Sequence, residues 1–343
     1  MYSVKPIFLI IFSSLFLTGC FFSNEKKPEI QEIRGEIFGS YYIVKYRGDL
    51  DTSDFIQELD TFFKKFNDEF STYQADSLIS KFNQLAPQKK IKTSHRFIEM
   101  LKFSQELFHQ TQGAFDPTLG PVIKLWGFGG GEKRGPPSEA SLKEAREKVG
   151  FSHVKWNELN LEVWKVREGV ELDLNAHAPG WAADLMGKML EQHQIHNYMV
   201  DISGELIIKG EKAPGREWIV GIETPSKEYA QGVHLALKLK DQAIATSGNY
   251  RQFYNDNGER KSHIIDPRSG KPVAHQITSA SVIASTAAIA DAWSTAIMVL
   301  GQDGIELAEK NGIKVYLLEA IKPGEYRPII SPSMETFIQE ASL

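Results

Sequence analysis

The segment "SVIASTAAIADAWSTAIMVLG", residues 281–301, sets the reading of this chain. Its β-branched start reads as the end of a strand near 279–284, and the run that follows reads as a helix apolar on every side, which belongs in a core. Asp291 is the only charged residue between Ile277 and Gln302. A lone carboxylate in such surroundings is expensive; it survives by capping, by pairing with a base or by binding a cation. Ser294 and Thr295 follow at i+3 and i+4, so three oxygen-bearing side chains share one helical face. With backbone carbonyls, such an all-oxygen set favours Mg2+ or Ca2+ over zinc. The same spacing also allows Ser294 and Thr295 to bond back to the helix while Asp291 meets a lysine or caps a neighbouring helix. Both readings stand at this point.

Working outward, "IFGSYYIVKY" (37–46) reads as a strand, "SDFIQELDTFFKKFNDEF" (53–70) as an amphipathic helix capped by Thr52 or Ser53, and 94–113 as a second helix with a Ser cap and a terminal Gly113. Residues 114–137 read as a long loop, too aromatic for disorder. A surface helix then ends at Gly150. Strands are expected near 153–157, 161–166 and 170–174, a helix over 180–194, and strands over 197–202, 205–209, 217–222, 233–239 and 250–254, the last turning at Asn257-Gly258. Another turn falls at 266–270, and a strand is expected at 313–318. Helices and strands do not alternate as βα units, so the class is α+β, with a helical N-terminal portion and mixed or antiparallel sheets flanked by helices.

The 343 residues carry a formal charge of −5, with 42% hydrophobic and 24% charged residues, an ordinary globular composition. No basic run and no zinc-spaced cysteine set is present, which argues against nucleic acid as a partner. "MYSVKPIFLIIFSSLFLTGC" has Lys5, an apolar core from Ile7 to Leu17 and small residues before a cysteine, the pattern of an export signal. Its apolar core is shorter than the roughly 20 residues of a membrane span. The ending "LTGC" resembles the lipobox of bacterial lipoproteins, which implies a lipoprotein signal at 1–19 and a lipidated tether at 20–32 starting with Cys20; a folded domain is expected at 33–343. Cys20 is the chain's one cysteine, so the domain has no internal disulfide.

Three further segments can carry chemistry. In "LDLNAHAPGWAAD" (172–184) a strand ending at Asp173 runs through small residues to a helix, whose N-terminus offers free N–H groups to a phosphate; an ordinary strand-turn-helix connection would look the same. "GAFDPTLGPVIKLWGFG" (113–129) places an acid before proline in an aromatic loop able to hold a planar ring; its glycines lack the third position and the preceding strand of a dinucleotide fingerprint. In "SGNYRQFYNDNGERKSHIIDPRSG" (247–270), His263 lies close to Asp266, which can orient an imidazole for general-base work. A histidine bonded within a turn is the alternative.

Taken in order, these segments resemble the ApbE family of FAD:protein FMN transferases. The likeness is carried by the "LTGC" lipobox, "FSTYQADSLISKFN" (70–83), "GAFDPTLGPVIKLWGFG", "LDLNAHAPGWAAD", "YMVDISGELIIKG" (198–210), "ATSGNYRQFY" (245–254), "SHIIDPRSGKP" (262–272) and "ADAWSTAIMVLG" (290–301), and it covers the chain from about Ile33 onward. The resemblance implies a lipid-anchored, periplasm-facing enzyme that binds FAD with Mg2+ and moves the FMN half onto a Ser or Thr of an acceptor protein, releasing AMP. The implied acceptors are membrane redox-complex subunits bearing a flavinylation motif. The implied metal ligands are Asp291, Thr295 and the carbonyl of Ala176, with Ser294 beside them. FAD contacts are implied at Phe38, at Ser71, Thr72 and Tyr73, at Ala114, Phe115 and Asp116, at Asp173, at Pro179 and at Ile265. His263 matches the family's proposed base, and Cys20 is the acylated residue. Phe38 departs from the family's usual methionine, and Pro179 from its Lys or Glu. Hydrolysis of FAD to FMN and AMP, and flavin binding without turnover, are the competing functions.

Overall fold

Among the described residues the first regular structure is a hairpin of β1 (Gln31–Ile37) and β2 (Ser40–Tyr46), which corrects the single strand expected over 37–46. Phe38 and Gly39 take φ of 55° and 71° and reverse the chain between Ile37 and Ser40. Two left-handed residues match the twist of the strands they join. Glycine adopts this conformation freely, whereas Phe38 does so at a cost of about 1–2 kcal/mol. Its ring offsets that cost by packing 5.5 Å from Phe66 and 6.5 Å from Phe63. The structure, a computed structural model, describes residues 29–128, 136–225, 232–249, 253–256, 259–262, 264–322 and 324–341.

Helix α1 (Thr52–Phe70) buries Phe55, Leu59, Phe63, Phe66 and Phe70 on one face. Its cap is Asp51, not Thr52 or Ser53, because the Asp51 carboxylate accepts from both Ser53 N and Asp54 N at 3.1 Å. Then come α2 (Leu78–Gln84), β3 (Ile91–Lys92) and α3 (His95–Gln110), the last capped by Ser94 as expected. Helix α4 (Gly120–Leu125), with Pro121 in its first turn, interrupts the expected loop; six residues are too few to show a period. After α5 (Glu139–Arg146), β4 (Val154–Asn157) and β5 (Glu162–Lys165) join β3 in a small sheet. The strand expected at 170–174 does not form. Its backbone bonds to a side chain and a loop instead: the Asn83 amide donates to Leu172 O at 2.9 Å and accepts from Leu172 N at 2.7 Å, and Asp173 N donates to Pro117 O at 2.7 Å. These bonds anchor the segment that leads into α6 (Ala178–Gln192).

The remaining elements are β6 (Tyr198–Ile202), β7 (Glu205–Lys209), β8 (Trp218–Glu223), β9 (Val233–Leu239), β10 (Gln242–Gly248), β11 (Phe253–Asp256), β12 (Glu259–Ser262), β13 (Ile265–Asp266), β14 (Lys271–Pro272), β15 (Ile277–Ala284), α7 (Ala287–Leu300), α8 (Ile305–Lys310), β16 (Lys314–Lys322), β17 (Glu325–Ile330) and α9 (Pro332–Ala341). Eight strands form one sheet in the order β1-β2-β6-β7-β10-β15-β16-β17, every neighbouring pair antiparallel. The helical portion is thus inserted between β2 and β6, which pair directly. Side chains alternate across the sheet. Ala243, Ala245, Ala280, Val282, Val315 and Leu317 face the helical core with α6 and α7. Ile208, Ile244, Ile283 and Leu318 face a second core closed by Trp218, Leu237 and Leu239 of the β8–β9 hairpin and Met334 of α9. Among the described residues no helix is long and apolar enough to cross a membrane.

Candidate active site

Helix α7 is the central column of the helical core, and its near-complete burial follows from its composition: alanines at 287, 288, 290, 292 and 296 let sheet and helix backbones approach closely. The closest approach is to α6. A Cβ on Gly180 would lie 2.4 Å from Ala287 O, so only glycine fits at this crossing. The two helices cap each other there. Asp184 of α6 accepts from Ala287 N at 2.8 Å and Ala288 N at 3.0 Å, and Asp291 of α7 accepts from Gly180 N at 3.1 Å. Capping is therefore part of the reason a carboxylate stands in this run. One bond does not keep it ionised: burial, with Glu205 and Asp184 nearby, drives Asp291 well above the usual carboxylate range. Ser294 bonds back to the helix, its hydroxyl donating to Asp291 O at 2.8 Å, and Ser247 Oγ lies 2.7 Å from Ser294 Oγ and 3.3 Å from Thr295 Oγ1.

Above this crossing the fold opens into two adjoining cavities. The larger, about 570 Å³, is lined by Ala114, Phe115 and Asp116 from the loop before α4, by Asp173 and Ala176 from the segment before α6, and by Ile265 and Thr295. The smaller, about 240 Å³, is lined by Phe38, Ser71, Tyr73 and Pro179. Asn175 and Ser203 line both. Thr72 belongs to the same rim, since its hydroxyl accepts from the Asn175 amide at 3.2 Å. Tyr73, on the wall of the smaller cavity, is 91% exposed. The cavity sizes bracket the lower range of ligand sites, and together they suit a two-ringed ligand better than a compact one.

Residues expected from distant segments thus converge. Thr295 and Ala176 stand on the wall of the larger cavity; Asp291 and Ser294 line neither cavity, although Ser294 lies 2.7 Å from the wall residue Ser247. Among the described residues no group of three or more His, Cys, Asp or Glu could hold a metal. A cation here would rest on one carboxylate supplemented by hydroxyl and carbonyl oxygens, the donor set of a hard ion. The buried, charge-crowded Asp291 fits that role, because a cation supplies the stabilisation that its surroundings withhold. His177 stays neutral: fully buried between Phe103 and Phe115, with Nε2 2.8 Å from Ser104 Oγ, it is held down to about 3 by desolvation. His263 and Cys20 lie outside the described residues. Both oxygens of Asp266 are bonded by the Arg268 guanidinium at 2.9 Å.

Asp116 is pushed up to about 6 by burial, against the opposing hydrogen bonds from Thr118 N (2.8 Å) and Thr118 Oγ1 (2.6 Å), both to Oδ1. A carboxyl whose folded value is raised contributes stability that is complete below its unfolded value and is lost as pH rises through the folded one. Asp116→Asn keeps the Oδ1 acceptor and removes the charge. The variant therefore gains on the parent by about 3 kcal/mol between about pH 4 and pH 7, read as a growing difference in denaturant midpoint. A difference independent of pH refutes the shift.

Sequence reasoning missed Glu205, Ser203 and Asn175, which line the larger cavity, and Asp184. The signal was present in "DISGELII" and "GWAAD": isolated acids beside small residues within apolar runs. What it lacked was any indication that the β6–β7 turn abuts α7.

The model of the ApbE family matches residues 38–317. The FAD:protein FMN transferase of Haemophilus influenzae is 36% identical over 315 residues, 89% of this chain and 90% of that protein. The enzyme of the same name from Vibrio cholerae is 33% identical over 335 residues, covering 96% and 97%. Among solved structures, the flavinyl transferase ApbE of Pseudomonas stutzeri superposes with a TM-score of 0.82 at 29% identity, over 91% of this chain and 98% of that one. The described cavities, built from the segments that carry the likeness, lie within the matched range, and the chain belongs to the ApbE family.

Proposed function

We infer that this protein is an FAD:protein FMN transferase, which joins the FMN half of FAD to a Ser or Thr hydroxyl of an acceptor protein and releases AMP. The carrying observation is the convergence of four sequence-distant segments on two cavities that meet at Asn175 and Ser203. FAD is two ring systems joined by a pyrophosphate; each ring takes one cavity and the phosphates cross the shared boundary. Asp291, Thr295 and the Ala176 carbonyl are the residues that would hold Mg2+, which when bound would supply neutralisation of the charge developing in phosphoryl transfer.

The chain's own residues position and exclude. Phe115 and Asp116, held by the Thr118 bonds, wall the larger cavity, and Tyr73 lines the smaller. The acceptor oxygen bonds to the FMN phosphorus as the bond from phosphorus to the AMP oxygen breaks, and His263 takes the hydroxyl proton, a contribution of about 10²–10⁴-fold. Pro179 brings no charge to the smaller cavity, so its contact with FAD is apolar. The N-terminal pattern supports export and anchoring through Cys20, with the domain facing the periplasm and membrane redox subunits as acceptors.

Incubation with FAD, Mg2+ and an acceptor domain carrying a target threonine yields a fluorescent acceptor band and stoichiometric AMP. AMP without label would instead mark hydrolysis, and neither product would mark binding alone. His263→Ala retains FAD and loses labelling; full activity in that variant removes His263 as base.

A further inference from the structure

Beyond the two cavities lies a cleft of about 290 Å³ on the other side of Ser203 and Thr246, both of which also line the larger cavity. Ser203 lines all three spaces. It is held rigidly, in the left-handed region at φ 59°, with its N–H donating to Tyr41 O at 3.1 Å. The cleft walls come from strands: Tyr41 of β2, Asp201 of β6, and Ile219 and Glu223 of β8.

Two observations select the occupant. The carboxylates of Asp201 and Glu223 line it, oxygen acceptors suited to the N–H groups of an extended peptide. Ile219, 63% exposed, and Tyr41, 44% exposed, give it an apolar wall open to a partner. We propose that this cleft seats the acceptor segment bearing the target Ser or Thr, extended along β8, so that its hydroxyl passes Ser203 and Thr246 to reach the phosphate site. The proposal rests on the transferase reading. It follows from a geometric need: the attacking oxygen must enter from a side that FAD leaves open, and this cleft adjoins Ser203, the residue shared by both FAD cavities.

The test uses Ile219→Glu. Position 219 is exposed and stands opposite Lys238 in the β8–β9 ladder, so an added glutamate gains a cross-strand partner and the fold is retained. With a soluble acceptor domain carrying one target threonine as probe, KM for the acceptor rises at least roughly tenfold, while kcat at saturating acceptor and the Kd for FAD stay unchanged; Ile219→Val restores the parent KM. An unmoved KM with a labelled acceptor overturns the docking site alone. Weakened FAD binding overturns it too, by assigning the cleft to the flavin. A parent protein that releases AMP and labels nothing overturns the transferase reading and the docking site together.

Discussion

Asp291→Asn lowers FAD-dependent labelling by about 10³-fold or more, yet leaves the metal-free protein at least as stable as its parent at pH 7. The two effects have one cause. The carboxylate is buried, accepts one hydrogen bond, from Gly180 N, and lies near Glu205 and Asp184, so its ionised form is penalised in the folded chain. Asparagine keeps an acceptor for Gly180 N and removes the charge. Below its unfolded value the acid costs nothing; as pH rises toward the folded value the parent loses stability that the variant keeps. Metal-ion stabilisation of developing charge is worth several kcal/mol, and about 4 kcal/mol corresponds to about 10³ in rate. Added Mg2+ raises the melting temperature of the parent and not of the variant. Retained turnover, or an equal Mg2+ response in both proteins, would remove Asp291 from the metal site.

Gly180→Ala unfolds the same crossing from the other side. The new methyl group meets Ala287 O at 2.4 Å, Ala287 C at 2.6 Å and Ala288 Cα at 2.9 Å, all backbone atoms of a helix buried on every side. No rotamer relieves such a contact, so α6 and α7 must separate. Overpacking of this kind costs on the order of 3 kcal/mol, a fall of roughly 4–5 °C in melting temperature for a domain of about 310 residues at about 2.1 cal/mol/K per residue. Separation also pulls Gly180 N from Asp291 and the Asp184 carboxylate from Ala287 and Ala288, so FAD affinity falls with stability. A Gly180→Ala protein that melts with its parent would show that the helices do not pack as closely as described.

Much of the helical architecture was legible because it is written in local periods. The four phenylalanines and one leucine that α1 buries and the Ser94 cap of α3 need only their neighbours to be recognised. Asp51 took the place of Thr52 or Ser53 because its carboxylate bonds two amides, a distinction that spacing does not show. The hairpin at Phe38-Gly39 was hidden because phenylalanine seldom takes a left-handed turn, and what holds it there is α1, far along the chain. The segment 170–174 has a strand's composition, but Asn83 and Pro117 claimed its backbone groups before any ladder could. Strands β10 and β17 escaped notice for composition: one is built of small residues, and the other carries Pro328 at the sheet edge.

By itself the sequence determined the α+β class, the burial of the run around Asp291 and the kinds of atoms that could surround a ligand, since side-chain polarity and spacing act over a few residues. Only the tertiary structure decided that Asp291 caps α6 while Asp184 caps α7, that Glu205 lies close enough to raise the Asp291 pKa, and that Ser203 stands where three spaces meet. Those relations depend on Gly180 letting two backbones touch and on β6 pairing with a strand more than a hundred residues earlier. Electrostatic energy is set by distance in space, which spacing along the chain does not reveal.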